Sequence, residues 1–202
     1  SMTHLEKERK TTSFDVNKLS ELYYSFDGMN RLQDWIRFQN IVAEDPILKF
    51  DPAEIGLSRK ETMTRMSKKT ARLHELFGIG NTIFVDFHHI MHHQVMGTVH
   101  HLMFIPTIKY LGTEEQIAKW LDDAYTFKIW GCYAQTELGH GSDVRSLETT
   151  ATYDPETEQF TLNSPTVSST KWWPGELGVF ATHAVTHAQL IIKGKNYGVQ
   201  TF

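Results

Sequence analysis

Apolar residues recur at helical spacing from the amino end to about residue 130; beyond it Thr, Val and aromatic residues alternate with polar ones. Val16, Leu19, Leu22 and Tyr23 predict a first helix over 15–26, with Gly28 as its end. Asn30 is the expected cap of a second helix, whose stripe is Leu32, Trp35 and Ile36, continued by Gln39 or Ile41. Pro46 stops it. Ser58 and Glu61 have capping-box spacing and open a third helix reaching Phe77, ended by Gly78 and Gly80. A fourth helix is expected over 83–93 and a fifth over 95–108, with Pro106 setting its start or its end. Thr113 and Gln116 repeat the capping box, and Ile117, Trp120 and Leu121 give that helix a buried face.

Past Gly131 the period changes to two. Residues 147–153 (LETTATY) and 159–163 (QFTLN) alternate around the turn-forming Asp154-Pro155-Glu156-Thr157, which predicts a hairpin. Residues 183–192 read as a further strand, 193–198 (KGKNYG) as a turn, and 199–202 as the start of another strand. The expected fold is α+β: an amino-terminal α-helical domain over 1–130, then a β domain over 131–202. The sequence stops inside a strand pattern, so the β domain is expected to be incomplete at its carboxy end.

Composition narrows the classes. A supply of twelve Phe, seven Tyr and five Trp is enough for a packed core and argues against disorder. The net charge of −4 argues against a nucleic-acid role, which needs a basic surface. Cys132 is the single cysteine, so no internal disulfide forms and a reducing compartment is expected. No apolar run approaches the roughly 20 residues of a membrane span, and no apolar signal-peptide core opens the sequence.

Two segments carry candidate chemistry. In CYAQTELGHGSD (132–143), glycines permit close backbone approach, and Thr136 and Ser142 supply hydroxyls. Such a loop can bind a planar heterocycle or a phosphate chain through backbone N–H groups, or it can be an ordinary connection. In STKWWPG (169–175), adjacent tryptophans in a strand point to opposite faces, one to the core and one to a ligand or another element. By themselves they read first as core and rim packing.

Taken together, the order GTEEQ, WGCYAQTELGHGSD, TATYDP, LNSP and KWWPG closely resembles the peroxisomal acyl-CoA oxidases, of the acyl-CoA dehydrogenase superfamily. The likeness runs from about Ser13 onward and is strongest from Gly112 to Phe202. It implies a helical domain followed by the first strands of a β-barrel domain, and FAD as cofactor. It implies that Thr136 hydrogen-bonds the flavin ring, that Gly175 meets it through the backbone, and that Trp172 and Trp173 lie beside it. Ser142 then lies near the cofactor pyrophosphate and the substrate thioester arm, binding both. Superfamily dehydrogenases carry Trp-Ile-Thr where this sequence has Trp172-Trp173-Pro174, and Pro174 offers the flavin neither hydroxyl nor N–H. The resemblance thus implies the oxidase branch. Its reaction is α,β-dehydrogenation of a fatty acyl-CoA to the trans-2-enoyl-CoA, with molecular oxygen reduced to hydrogen peroxide. A peroxisomal address and a homodimer are implied as well. The family's catalytic glutamate belongs to a downstream helical domain, so no catalytic residue is assigned here, and this stretch alone is expected to be inactive.

Two other readings stand beside it. One is a non-catalytic truncated paralogue serving as a binding or dimerisation module. The other is a metal-binding helical module, because His88 and His92, and His89 and His93, are four apart and can share an ion. No Cys, Asp or Glu closes that set apart from Asp86, so no metal ligand is assigned. His100 matches a family histidine ahead of Phe104-Ile105-Pro106-Thr107. His140 is expected either near the cofactor diphosphate or bonded to backbone.

Overall fold

The computed structural model describes residues 3–23, 28–78 and 95–202. They form helices followed by a mixed sheet, the α+β arrangement expected, and fall into two compact units. The first holds the described residues up to Arg72, and the second holds 73–78 and 95–202. The predicted helix over 83–93 and the quartet His88, His89, His92 and His93 lie outside the described residues.

The first unit contains α1 (His4–Arg9), α2 (Val16–Tyr23), α3 (Gly28–Glu44), a 3-10 turn at Pro52–Glu54, and α4 (Arg59–Phe77) as far as Arg72. Gly28 begins α3, the expected end of the first helix over 24–27 lies outside the described residues, and Asn30 lies inside α3 rather than capping it. The buried face of α3 is carried by Phe38 and Val42; Ile36 and Gln39 are exposed. The helix stops before Pro46, where Asp45 Oδ1 accepts the N–H groups of Ile47 at 2.8 Å and Leu48 at 3.0 Å. The capping box of α4 forms as predicted: Ser58 N–H donates to Glu61 Oε2 at 2.9 Å, and Glu61 N–H returns to Ser58 Oγ at 3.4 Å. Glu54 is buried and takes Lys69 Nζ at 2.9 Å and Arg65 Nε at 2.8 Å, which ties the 3-10 turn to α4.

In the second unit the helix expected over 95–108 is split. Residues 100–104 form a π turn in which Ile105 N–H reaches back five residues to the His100 carbonyl. Then α5 (Ile105–Leu111) starts with Pro106 in its first turn, where the missing N–H costs nothing. Next, α6 (Glu114–Tyr125) opens on the Thr113–Gln116 capping box. A fully buried His100 links this region to the sheet. Its Nδ1 accepts from Gly131 N–H at 2.9 Å, which places the proton on Nε2, 2.9 Å from the Ala124 carbonyl. A Cβ at Gly131 would lie 2.0 Å from Phe104 Cγ, so only glycine allows this approach. Phe104, Ile105, Ala124, Ile129 and Val185 form the core here, with Trp120, Leu121 and Tyr133 packed against it.

The sheet comprises β1 (Gly131–Ala134), β2 (Thr150–Asp154), β3 (Gln159–Asn163), β4 (His183–Ile192) and β5 (Lys195–Thr201). The β2–β3 hairpin is antiparallel with Thr150 opposite Asn163, as the alternation predicts. Central to the sheet is β4: β1 runs parallel along 183–186, β2 parallel along 189–192, and β5 antiparallel on it. The turn predicted over 193–198 shrinks to Lys193 and Gly194, with φ of 49° and 76°. Two positive φ angles make the two-residue hairpin turn that matches strand twist, so β5 begins at Lys195.

Candidate functional site

The two motif segments are bonded to each other directly. Trp172 N–H donates to the Thr136 carbonyl at 2.9 Å, Leu138 N–H to Thr170 at 3.0 Å, and Gly139 N–H to Ser168 at 2.9 Å. This short antiparallel ladder follows from the sequence around it. β1 delivers Gln135 and Thr136 from the sheet, and the polar run 164–171 returns alongside without entering a long strand. Gly139 is needed at one rung, where a Cβ would stand 2.8 Å from Ser168 Cβ. Thr136 and the Trp172–Gly175 stretch are therefore neighbours through main-chain bonds, not through the β2–β3 hairpin.

A buried ion pair underlies the ladder. Glu137 is 2% exposed, and its carboxylate accepts Glu148 N–H at 2.8 Å, Thr149 N–H at 2.9 Å and Lys171 Nζ at 3.1 Å. Burial pushes its carboxyl up, but these bonds outweigh burial and hold it below the usual glutamate value. Lys171 Nζ also donates to the carbonyls of Gln135 at 3.0 Å and His187 at 2.7 Å. Burial lowers the Lys171 ammonium, and Glu137 opposes that shift.

The predicted site residues are placed as follows. Thr136 is half-buried; among the described residues nothing accepts its N–H and nothing bonds its Oγ1. Gly175 packs so closely that a Cβ would lie 2.9 Å from Val99 Cγ2. Trp172 and Trp173 are not in a strand, and neither enters the core: they are 52% and 76% exposed. The strand reading fails because Pro174 and a left-handed Trp173, φ 41°, break the extended chain. A bulky residue at positive φ costs roughly 1–3 kcal/mol, and such strain commonly accompanies ligand contact. Ser142 is exposed on the far limb of the loop, where its carbonyl accepts Val144 N–H at 3.1 Å. Among the described residues no acceptor takes the N–H groups of Gly141, Ser142 or Asp143. One stretch thus offers a hydroxyl and an N–H at Thr136, the next a row of free N–H groups, as a heterocycle joined to phosphates requires.

The His140 side chain meets a carboxylate: its Nε2 lies 2.8 Å from Glu148 Oε1. Thr166 Oγ1 and Ser168 Oγ donate to the same carboxylate. The sequence did not signal Glu176. Its half-buried carboxylate takes Gly97 N–H at 2.7 Å and the indole N–H of Trp130, and desolvation raises its carboxyl above the usual value. Among the described residues no group of three His, Cys, Asp or Glu can hold a metal ion, and no helix is long and apolar enough to cross a membrane.

Helices thus lead into a mixed sheet, and a glycine-bearing loop is laddered to a Trp-Trp-Pro-Gly turn. The family model described as acyl-coenzyme A oxidase N-terminal matches residues 15–130, and the chain belongs to that family. It is 41% identical over 203 residues to peroxisomal acyl-coenzyme A oxidase 1 of Arabidopsis thaliana, covering 98% of this chain and 30% of that protein. The acyl-CoA oxidase from tomato superposes with a TM-score of 0.81 at 40% identity, covering 100% of this chain and 31% of that one. Acyl-CoA oxidase-2 of Caenorhabditis elegans, solved with FAD, ascaroside-CoA and ATP, gives 0.78 at 35% identity, over 98% of this chain and 31% of that one. The chain spans about three-tenths of the length of the curated relatives it matches.

Proposed function

We propose that these residues are the flavin-holding part of a peroxisomal acyl-CoA oxidase. Its reaction is the α,β-dehydrogenation of fatty acyl-CoA to trans-2-enoyl-CoA with oxygen reduced to hydrogen peroxide. The observation that carries the reading is the ladder that sets the free donors of Thr136 beside Trp172–Gly175. Bound FAD would supply the acceptor for the substrate's electrons. Thr136 would hold the ring by its hydroxyl and N–H, with Trp173 beside it. The close contact of Gly175 with Val99 leaves only backbone at that position. Ser142 and the N–H groups around it would hold the pyrophosphate and the thioester arm. Fixed donors of this kind favour the more negative reduced ring without reorganising during the reaction. No glutamate here is assigned as the base, and a homodimer is part of the proposal.

The test uses the full-length protein carrying these residues. It should purify yellow, and its visible flavin absorption should bleach when a fatty acyl-CoA is added without oxygen, then return with peroxide on aeration. A protein that stays colourless with added FAD overturns the reading in favour of the binding module. The 202-residue chain alone should release no peroxide.

A further inference from the structure

The Lys171–Glu137 pair does more than fill the interior. All three ammonium hydrogens of Lys171 are used: on the Gln135 carbonyl at 3.0 Å, on Glu137 at 3.1 Å and on the His187 carbonyl at 2.7 Å. Gln135 and Glu137 are the two residues that flank Thr136. Lys171 itself directly precedes Trp172, whose N–H closes the ladder on the Thr136 carbonyl. Glu137 carries the linkage onward to Glu148 and Thr149, just ahead of β2. One ammonium at the head of the turn that ends in Gly175 thus holds the Gln135 carbonyl before Thr136 and the Glu137 carboxylate after it.

We propose that Lys171 and Glu137 are positioning residues, a buried clasp that sets Thr136 and the Trp172–Gly175 turn in register with each other as the two walls of one flavin site. The proposal rests on the flavin reading above. Without the ammonium, the carbonyls of Gln135 and His187 lose their donor and Glu137 keeps only its two N–H partners. The three main-chain rungs remain, so the expected result is loosened walls in a folded protein, not collapse.

The full-length Lys171→Met protein keeps the length and apolar character of the stem. It should show FAD affinity about tenfold weaker, the lower end of the response when a residue that orients ligand-contacting groups is removed. Its hydrogen exchange, measured without FAD, should speed up at 133–142 and 168–176 while the β2–β3 hairpin stays near wild type. Glu137→Gln should give the same pattern more weakly, and serves as the decisive variant if Lys171→Met does not fold. FAD affinity within twofold of wild type in a folded variant overturns the clasp. So does exchange that rises evenly through the whole sheet. Because the exchange measurement needs no flavin, a wild-type protein that takes up no FAD sinks the functional reading, and the exchange pattern still decides the coupling of the two walls.

Discussion

Each unit holds a lysine paired with a buried glutamate, and the two pairs are bonded differently. In the first, Glu54 receives Lys69 at 2.9 Å and Arg65 at 2.8 Å, and among the described residues Lys69 Nζ reaches one carbonyl, that of Lys49, at a weak 3.4 Å. Two cations converge on one carboxylate, and the product is a fastening between α4 and a 3-10 turn. In the second, the direct contact of Lys171 with Glu137 is its longest, at 3.1 Å, and both groups give their shorter bonds to main chain. A pair of the first kind holds elements together. A pair of the second kind shapes a backbone. The second pair sits beside the loop that carries the candidate binding groups Thr136 and Ser142.

The largest expected effect tests the first half of that contrast. Lys69→Met takes from the buried Glu54 its fully buried cation and leaves Arg65 among its partners. Breaking a buried pair by removing one partner costs about 3–5 kcal/mol, which urea unfolding should register. FAD uptake by the folded full-length variant should match wild type. If Lys69→Met weakened FAD as much as Lys171→Met, the two pairs would not differ in kind.

How much of this the sequence could show depends on the range of the cause. Capping boxes at Ser58 and Thr113, the stop before Pro46 and the β2–β3 hairpin are set by neighbours within a few residues, and all were legible. The start of α3 at Gly28 was not, because glycine marks a helix end by its freedom at positive φ and gives no local signal for a helix start. The π turn at 100–104 needed Pro106 and His100 to be read together, and His100 finds its partners at Ala124 and Gly131. The motif loop was visible as residues, but its geometry was not. Lys171 looks like any surface lysine until the carbonyl of His187, sixteen positions on, is known to be its partner. The two tryptophans were assigned strand faces by alternation, which the positive φ of Trp173 removes.

The next prediction separates the units by pH. Glu54 and Glu137 are both held below the ordinary glutamate value, against burial, by their hydrogen bonds. The stability they provide is complete above the unfolded value and disappears only as pH falls through the lower folded one. His101, in the second unit, behaves differently. Burial first, then repulsion from His100 and His74, lowers it from 6.5 to about 4. Between those values the unfolded chain binds a proton that the native chain does not, so stability falls as pH falls across that window. The loss approaches about 3 kcal/mol at its lower end. Hydrogen exchange at pH 5 should therefore accelerate over 95–131 well before it does over 32–72. His101→Phe should flatten the difference. Equal acceleration in both stretches would show that the carboxylate pairs, not the histidine, govern the acid response.

The smallest effect concerns a third anionic group, and it asks whether burial is what gives the clasp its leverage. Glu148 adjoins the same loop and is pulled down to about 2, first by the Thr166 hydroxyl, then by His140 and Ser168. It has as many partners as Glu137, and through His140 it touches the limb that leads to Ser142. Yet it lies at the surface, where water competes for every one of those bonds and where ion pairs contribute little. Glu148→Gln should leave the urea midpoint where it is and lower FAD affinity by no more than about twofold, with faster exchange confined to 138–142. A loss as large as that of Lys171→Met would mean that the loop is held by the number of its bonds rather than by their shielding from water. The contrast between the Glu54 and Glu137 pairs would then have to be restated in those terms.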